Sequence, residues 1–350
     1  MSLSYKITGP FIRMLSANQA HDIGLLGLKK GLVCPYKKPF DERLNINFKG
    51  LNFPHPIGLA PGFDKDAEAI NPLAKTGLGH MEVGGVTPKP QSGNLRPTIF
   101  RSPKDQAIIN RMGFNNKGLD VFLSNIKQYH ASLPLGVNIG KNKTSEDAVA
   151  DYQYLATHLA NHVDWITINV SSPNTPGLRN LQEVSSLKTI IQTVKKEVQG
   201  AEKQPLIFVK IAPDLNENDL IDLAHLFKTE VIDAVVTTNT TISRPDSINR
   251  QFAKEQGGLS GRPLFDLSLH IQKVMATELK NSEVKIIGSG GIYDIGTAWQ
   301  RIIYGASLLQ IYSAMVWQGP YLAAEIAQDL SQKLVQEGFD NIKQAIGSAL

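Results

Sequence analysis

Past Pro39 one pattern recurs eight times: a short apolar run, a loop rich in glycine or asparagine, then a stretch with helical spacing. The runs lie at 57–60, 80–83, 135–138, 165–168, 206–210, 234–237, 284–287 and 307–310. Continuous apolar runs, as opposed to alternating ones, mark strands buried on both faces, the condition of a parallel sheet covered by helices. Helices are expected over 147–161, 186–197, 216–228, 263–279, 293–303 and 320–336, with Asp147, Ser186 and Asp294 near their starts. Eight β/α units in 350 residues suit a closed (β/α)8 TIM barrel, whose usual size is about 250 residues. A doubly wound α/β sheet has the same periodicity and stays open at this point. No linker rich in Ser, Gly and Pro divides the body, so residues 41–350 read as one domain and residues 1–40 as a helical appendage.

The appendage holds the surplus charge. Lys6, Arg13, Lys29, Lys30, Lys37 and Lys38 face one acid, Asp22, whereas the whole chain has a net charge of +4. The body is therefore close to neutral, and no nucleic-acid face is expected. Charged residues interrupt 11–15 too early for a signal peptide, and nothing there reaches the ~20 apolar residues of a membrane span. The segment reads as two amphipathic stretches. One centres on Phe11, Ile12 and Leu15; the other runs through Ile23, Leu25, Leu26, Leu28, Leu32 and Val33 with Lys29 and Lys30 at its edge. Such an element either caps the body or lies in a membrane interface. The uncharged stretch 302–324 is interrupted by Gly305, Gln310, Ser313 and Pro320, and fits a buried strand, a loop and a helix start. A single cysteine, Cys34, excludes an internal disulfide and a thiolate metal cluster. His158 and His162, four apart, lack an acid to complete a zinc site, so no metal is expected.

In a barrel the chemistry collects at the C-terminal ends of the strands. Those ends carry Lys65, Gly84-Gly85, Asn138, Asn169, Lys210 and Thr238-Asn239-Thr240, and the loop 110–115 adds Asn110. Each asparagine offers one acceptor and one amino donor, so several aimed at one point suit a planar heterocycle with imide N–H and C=O groups. Any one of them would be an ordinary turn residue; the recurrence at successive strand ends is the signal. Gly288-Ser289-Gly290-Gly291 follows the seventh run, and Gly305-Ala306-Ser307 leads into Gln310-Ile311-Tyr312-Ser313 at the eighth; barrels often bind phosphate at these loops through bare backbone N–H groups. Gly257 to Gly261 adds a further glycine-rich stretch. Two prolines and a glycine stiffen the loop 169–177. Chemistry alone does not single out a serine there as a base, because no histidine stands beside it.

Taken in order, 60–65, 84–88, 110–116, 169–175, 210–214, 238–241, 258–261, 290–291 and 311–313 resemble the dihydroorotate dehydrogenases of the quinone-dependent, membrane-associated class. The resemblance implies an FMN barrel that oxidises (S)-dihydroorotate to orotate in pyrimidine (UMP) synthesis and passes electrons to a membrane quinone. By resemblance, Ser172 is the base that takes the substrate C5 proton; a serine serves as a base only where hydrogen bonds or a water relay drain its proton, and Thr175 is the candidate for that relay. Lys65, Asn110, Asn169, Asn174, Asn239 and Thr240 hold the substrate, and Arg111, Met112, Gly113 and Phe114 shape its loop. Pro61, Gly62, Phe63, Asp64, Lys65, Gly85, Asn138, Asn169, Lys210 and Thr238 hold the flavin. Gly261, Gly291, Tyr312 and Ser313 secure its phosphate end, and His21 and Arg101 are quinone contacts. Two positions depart from the family pattern: Pro61 stands where a small residue is common, and Gly85 where a hydroxyl side chain is frequent.

Serine at 172 separates the classes, since cysteine occupies this place in the soluble ones. The basic amphipathic appendage then becomes the quinone-side membrane attachment of a monomer on the cytoplasmic side of a bacterial inner membrane. Two other readings stay distinguishable by experiment. A soluble FMN enzyme would use fumarate or NAD without quinone, and a phosphate-binding lyase or isomerase barrel would bind no flavin. Removing residues 1–40 is expected to cripple quinone reduction while sparing substrate-driven flavin reduction. The two half-reactions assayed separately check this; equal loss of both would make the segment structural.

Overall fold

The computed structural model describes the backbone from residue 3 and side chains from residue 5, through residue 350. The eight apolar runs become eight barrel strands: Ile57–Leu59, Met81–Val86, Leu135–Ile139, Trp165–Asn169, Leu206–Ile211, Ala234–Thr237, Lys285–Ser289 and Ala306–Ile311. Each pairs in parallel with the next in chain order. The eighth returns to the first through Leu309 opposite Ile57, Gln310 opposite Gly58 and Ile311 opposite Leu59. That closure excludes the doubly wound sheet. It also brings all eight strand ends to one mouth.

The main helices follow the expected pattern at Ala148–Leu159, Val184–Gln199, Glu217–Glu230, Phe265–Glu278, Ile295–Ile303 and Leu322–Gln336. Asp147 accepts from the Ala150 N–H, and Asp294 makes a reciprocal capping box with Thr297. Ser186 is not a cap: its helix starts two residues earlier, after Glu183, and continues from the tight turn Leu178–Gln182. In the appendage, helices span Leu3–Met14 and Ala17–Lys29, the second opened by a Ser16–Gln19 capping box. Leu32 and Val33 lie beyond the second helix, which ends before Gly31 in a left-handed conformation (φ +70°). No helix among the described residues is long and apolar enough to cross a membrane.

Two small antiparallel units escape the periodic pattern. A hairpin, Ile46–Phe48 with Leu51–Phe53, covers the N-terminal end of the barrel. There Phe53 meets the rings of His80 and Trp165, and Phe48 stacks on Phe208. At the mouth, Ile99–Ser102, Ala107–Asn110 and Gly258–Gly261 form a three-stranded sheet. The glycine-rich stretch 258–261 is a strand of that sheet, and Asn110 ends another.

The appendage docks beside this mouth sheet. The Tyr5 hydroxyl donates to the Val316 carbonyl at 2.8 Å. The Asn18 amide donates to the Thr98 hydroxyl at 2.8 Å and accepts from the Thr98 N–H at 3.1 Å. Asp22 pairs with Arg96 at 2.7 Å.

Trp165 fills the barrel floor, fully buried against Phe53, His80 and Phe208. Gly136 on the neighbouring strand makes room for it, since an added Cβ would come within 1.9 Å of the indole. Gly136→Ala is therefore expected to cost about 2–3 kcal/mol or more through overpacking, read as a lowered midpoint in thermal unfolding. Gly24→Ala is its control. In the second appendage helix nothing lies within 4 Å of an added Cβ, so that change is expected to leave the midpoint unchanged or raise it.

Candidate active site

One cavity opens at the C-terminal mouth of the barrel. Asn110, Asn138, Asn169, Asn174 and Asn239 all line it, together with Lys65, Lys210, Ser172, Thr238 and Thr240. Pro61, Gly62, Gly85, Met112, Gly113 and Phe114 form one wall. Gly261, Gly291, Tyr312 and Ser313 line it as well. Residues from all eight barrel strands or their following loops, and from the mouth sheet, thus meet in one space.

The orientation of the amides is set from below. Glu82, on the second barrel strand, is 1% exposed. Its carboxylate accepts from Asn138 Nδ2 at 2.8 Å, Gln310 Nε2 at 2.7 Å and Trp165 Nε1 at 3.2 Å. An ionised carboxylate only accepts, so Asn138 must turn its NH2 downward and its carbonyl oxygen upward. That oxygen accepts from Asn169 Nδ2 at 2.7 Å. The Asn169 oxygen in turn accepts from Ser171 and from Asn239 Nδ2. A single polarity therefore runs from the barrel centre to the rim. Bonds to a charged group are worth roughly 1.5–3 kcal/mol each, which offsets the burial of the carboxylate. Composition does not reveal Glu82; the signal available in the sequence is one acid inside an apolar run.

The serine loop is held from the side. Arg179 pairs with Asp214 at 2.9 Å and donates to the carbonyls of Ser171 at 3.1 Å and Thr240 at 3.0 Å. Asp214 also accepts from the Thr241 and Ser243 hydroxyls. The ion pair thus ties the loop after the fourth strand to the loop after the fifth, and its hydrogen bonds to Thr240, Thr241 and Ser243 add the loop after the sixth. Ser172 is buried, and its Oγ accepts from the Asn174 N–H at 3.3 Å. The Asn174 side chain donates to Asn110 at 3.0 Å. Thr175 Oγ1 is buried with no hydrogen-bond partner among the described residues.

Two lysines supply positive charge. Lys65 donates to Asn115 at 3.0 Å, and loss of hydration pushes its pKa down to about 8. Lys210 is buried, and no hydrogen bond to its ammonium exists among the described residues. Desolvation lowers its pKa, while the Glu82 charge pulls it back up. The Phe114 ring fits beneath the rim because Gly85 and Gly140 lack side chains; added Cβ atoms would lie 3.2 and 2.7 Å from it. A hydroxyl side chain at 85 would crowd this ring, a local reason for glycine there.

Arg111, Asp64 and Phe63, expected at the substrate or the flavin, do not line the main cavity, and the two expected quinone contacts separate, His21 lining a second cavity and Arg101 neither. The Arg111 guanidinium turns away to pair with Glu255 at 2.8 Å and sits over the Phe100 ring. The Asp64 carboxylate turns inward to accept from the Glu68 and Ala69 N–H groups at 2.8 and 2.7 Å. Phe63 and His21 line a second cavity, which meets the first at Lys65 and Met112. Their rings pack edge to face at 5.5 Å, and burial lowers the His21 pKa to about 4. Arg101 lines neither cavity and donates to the carbonyls of Arg13 and Leu15 at 3.3 and 2.5 Å, joining the mouth sheet to the appendage.

A sequence profile of the family described as Dihydroorotate dehydrogenase matches residues 43–334. A Dihydroorotate dehydrogenase (quinone) from Bartonella tribocorum is 44% identical over 335 residues, 94% of this chain and 92% of the relative. One from Natronomonas pharaonis is 41% identical over 98% of each chain. Among solved structures, DHODH from Eimeria tenella in complex with ferulenol superposes with a TM-score of 0.92 at 38% identity, covering 96% of this chain and 98% of that one. The ligand-free form from Eimeria tenella gives 0.91 at 41% identity, covering 95% and 98%.

The Lys65 charge has a pH signature. The ammonium is present below about pH 8 and is lost above it. Affinity for a carboxylate ligand is therefore expected to hold at neutral pH and to fall by up to about tenfold per pH unit above 8. Calorimetric titration with orotate as the probe checks this, and Lys65→Met is expected to remove both the affinity and its alkaline loss.

Proposed function

Since the chain belongs to the dihydroorotate dehydrogenase family, we propose that it oxidises (S)-dihydroorotate to orotate in pyrimidine biosynthesis, with FMN in the barrel mouth and a quinone as final acceptor. The observation that carries this reading is the single cavity in which the serine loop, the oriented amides, both lysines and the Gly290-Gly291 loop converge. Groups still lacking partners there fit FMN. Gln310 Oε1, a buried acceptor without a donor among the described residues, and the Lys210 ammonium, without a hydrogen-bonded acceptor among them, suit the polar edge of an isoalloxazine ring. Gly62, Gly85, Asn138, Asn169 and Thr238 would hold the ring, and Gly261, Gly291, Tyr312 and Ser313 the phosphate end. Bound there, FMN supplies the acceptor for the substrate's hydride.

The protein's own groups do the rest. Lys65 offsets the substrate carboxylate. Asn110, Asn169, Asn174, Asn239 and Thr240 match the imide edge of a pyrimidine with donors and acceptors whose orientation is already fixed. Ser172 Oγ receives the C5 proton, and the unpartnered Thr175 hydroxyl gives that proton an onward acceptor. Lys210 would place a positive charge beside the polar edge of the bound flavin ring. Phe114 and Met112 close the wall against water.

For the quinone, the cavity lined by His21, Phe63 and Leu25 is the entry we propose, because it abuts the main site at Lys65. Exposed Ile7, Phe11 and Met14 on the first helix, and Ile23 and Leu26 on the second, support attachment to a lipid surface beside Lys29 and Lys30. We assign the protein to the cytoplasmic face of the inner membrane, as a peripheral monomer.

Ser172→Ala tests the chemistry. In anaerobic stopped-flow mixing with dihydroorotate, flavin reduction is expected to slow by about 10²–10⁴-fold with orotate affinity retained. An unslowed reduction would remove Ser172 from its role. Thr175→Val is expected to slow the same step, and an unchanged rate would exclude the relay.

A further inference from the structure

Arg301, in the Ile295–Ile303 helix, is fully buried and has no acidic partner among the described residues. A lone charge in a dry interior is strongly disfavoured, so a buried guanidinium ordinarily pairs with a carboxylate. Here oxygens without formal charge receive it. Nη2 donates to the Gly290 carbonyl at 2.5 Å and to Ser268 Oγ. Nη1 donates to Gln272 Oε1 at 3.0 Å, the Ser268 carbonyl at 3.1 Å and the Thr237 carbonyl at 3.4 Å. Burial lowers its pKa to about 9, which leaves it a cation at neutral pH.

The consequence lies in the peptides it holds. Arg301 grips the Gly290 carbonyl directly, and Ser268 Oγ donates to the Ser289 carbonyl at 2.8 Å. The Gly290–Gly291 peptide is trans, and in a trans peptide the N–H points away from the carbonyl. The Gly291 N–H therefore faces away from Arg301. Ser289, Gly290 and Gly291 all line the main cavity, and the Gly291 N–H has no acceptor among the described residues. Gly291 is fixed in this pose, with φ +74° and an added Cβ only 2.5 Å from the Phe265 backbone.

We propose that Arg301 is the buried counter-charge of an anion subsite, acting through the Gly290–Gly291 peptide on a phosphate monoester. A cation on the carbonyl polarises the peptide and makes its N–H a stronger donor. The positive charge, unbalanced within the protein, is offset when a dianion arrives. Arg301 does not touch the ligand; it is a positioning residue. The proposal rests on the reading that the cavity takes FMN, whose phosphate would be that dianion.

The test compares FMN with riboflavin, which has the same ring and no phosphate. Flavin is released from the full-length holoenzyme, and rebinding of each compound is followed by flavin fluorescence. Arg301→Met is expected to lower the preference for FMN over riboflavin by about tenfold or more, through weaker FMN binding alone. Arg301→Lys, which keeps the charge, is expected to restore most of that preference. Equal weakening of both flavins, or an unchanged preference, would overturn the proposal and leave Arg301 a packing residue. Ser268→Ala, which keeps the cation but removes one of its acceptors, is the second variant. It is expected to lower the preference severalfold, and an unchanged preference would count against the proposal. Wild-type protein that holds riboflavin as tightly as FMN would overturn the flavin-phosphate reading itself.

Discussion

The barrel mouth takes its orientation from one carboxylate that water does not reach. Glu82 can only accept, and its donors come from the third, fourth and eighth barrel strands. That requirement turns Asn138, which turns Asn169, which receives Asn239. Asparagine is otherwise ambiguous, able to present either end of its amide to a ligand. A chain of amides anchored on an acceptor loses that freedom, and the site is oriented before any ligand enters. The same charge favours the protonated form of Lys210, which desolvation alone would weaken.

Around this axis the protein holds its loops with ion pairs and glycines. Arg179 and Asp214 join the loops after the fourth, fifth and sixth strands, fixing the Ser171 and Thr240 carbonyls relative to one another. Gly85 and Gly140 accommodate the Phe114 ring, and Gly291 fits against the Phe265 backbone. The appendage belongs to the same construction. Its contacts with Thr98, Val316 and Arg96 set it against the mouth sheet, so the second cavity adjoins the first at Lys65 and Met112.

The barrel was legible because its signal is local: a strand buried on both faces is a continuous apolar run wherever it occurs. The convergence of Lys65, Lys210 and the asparagines followed from topology, since a closed barrel brings strand ends together. The mouth sheet was not legible, because Gly258 pairs with Asn110, far away in sequence, and glycine carries no strand preference. The outward direction of the Arg111 side chain was not legible either. At the end of an extended strand successive side chains point to opposite sides, so Asn110 enters the cavity while Arg111 leaves it for Glu255. Asp64 turned inward to satisfy the amides of the next turn, a local bond that a motif does not express. Glu82 and Arg301 were invisible because a buried charge is defined by distant partners, here Gln310 for one and Ser268 and Gly290 for the other.

The central claim is that one barrel mouth holds a flavin and dihydroorotate together. Its most direct test is the visible spectrum of the purified, full-length protein under anaerobic conditions, before and after dihydroorotate is added. The account predicts a yellow protein whose flavin absorbance bleaches on addition of the substrate. A flavin that stays oxidised, or a protein that takes up no flavin even when FMN is supplied, would contradict it.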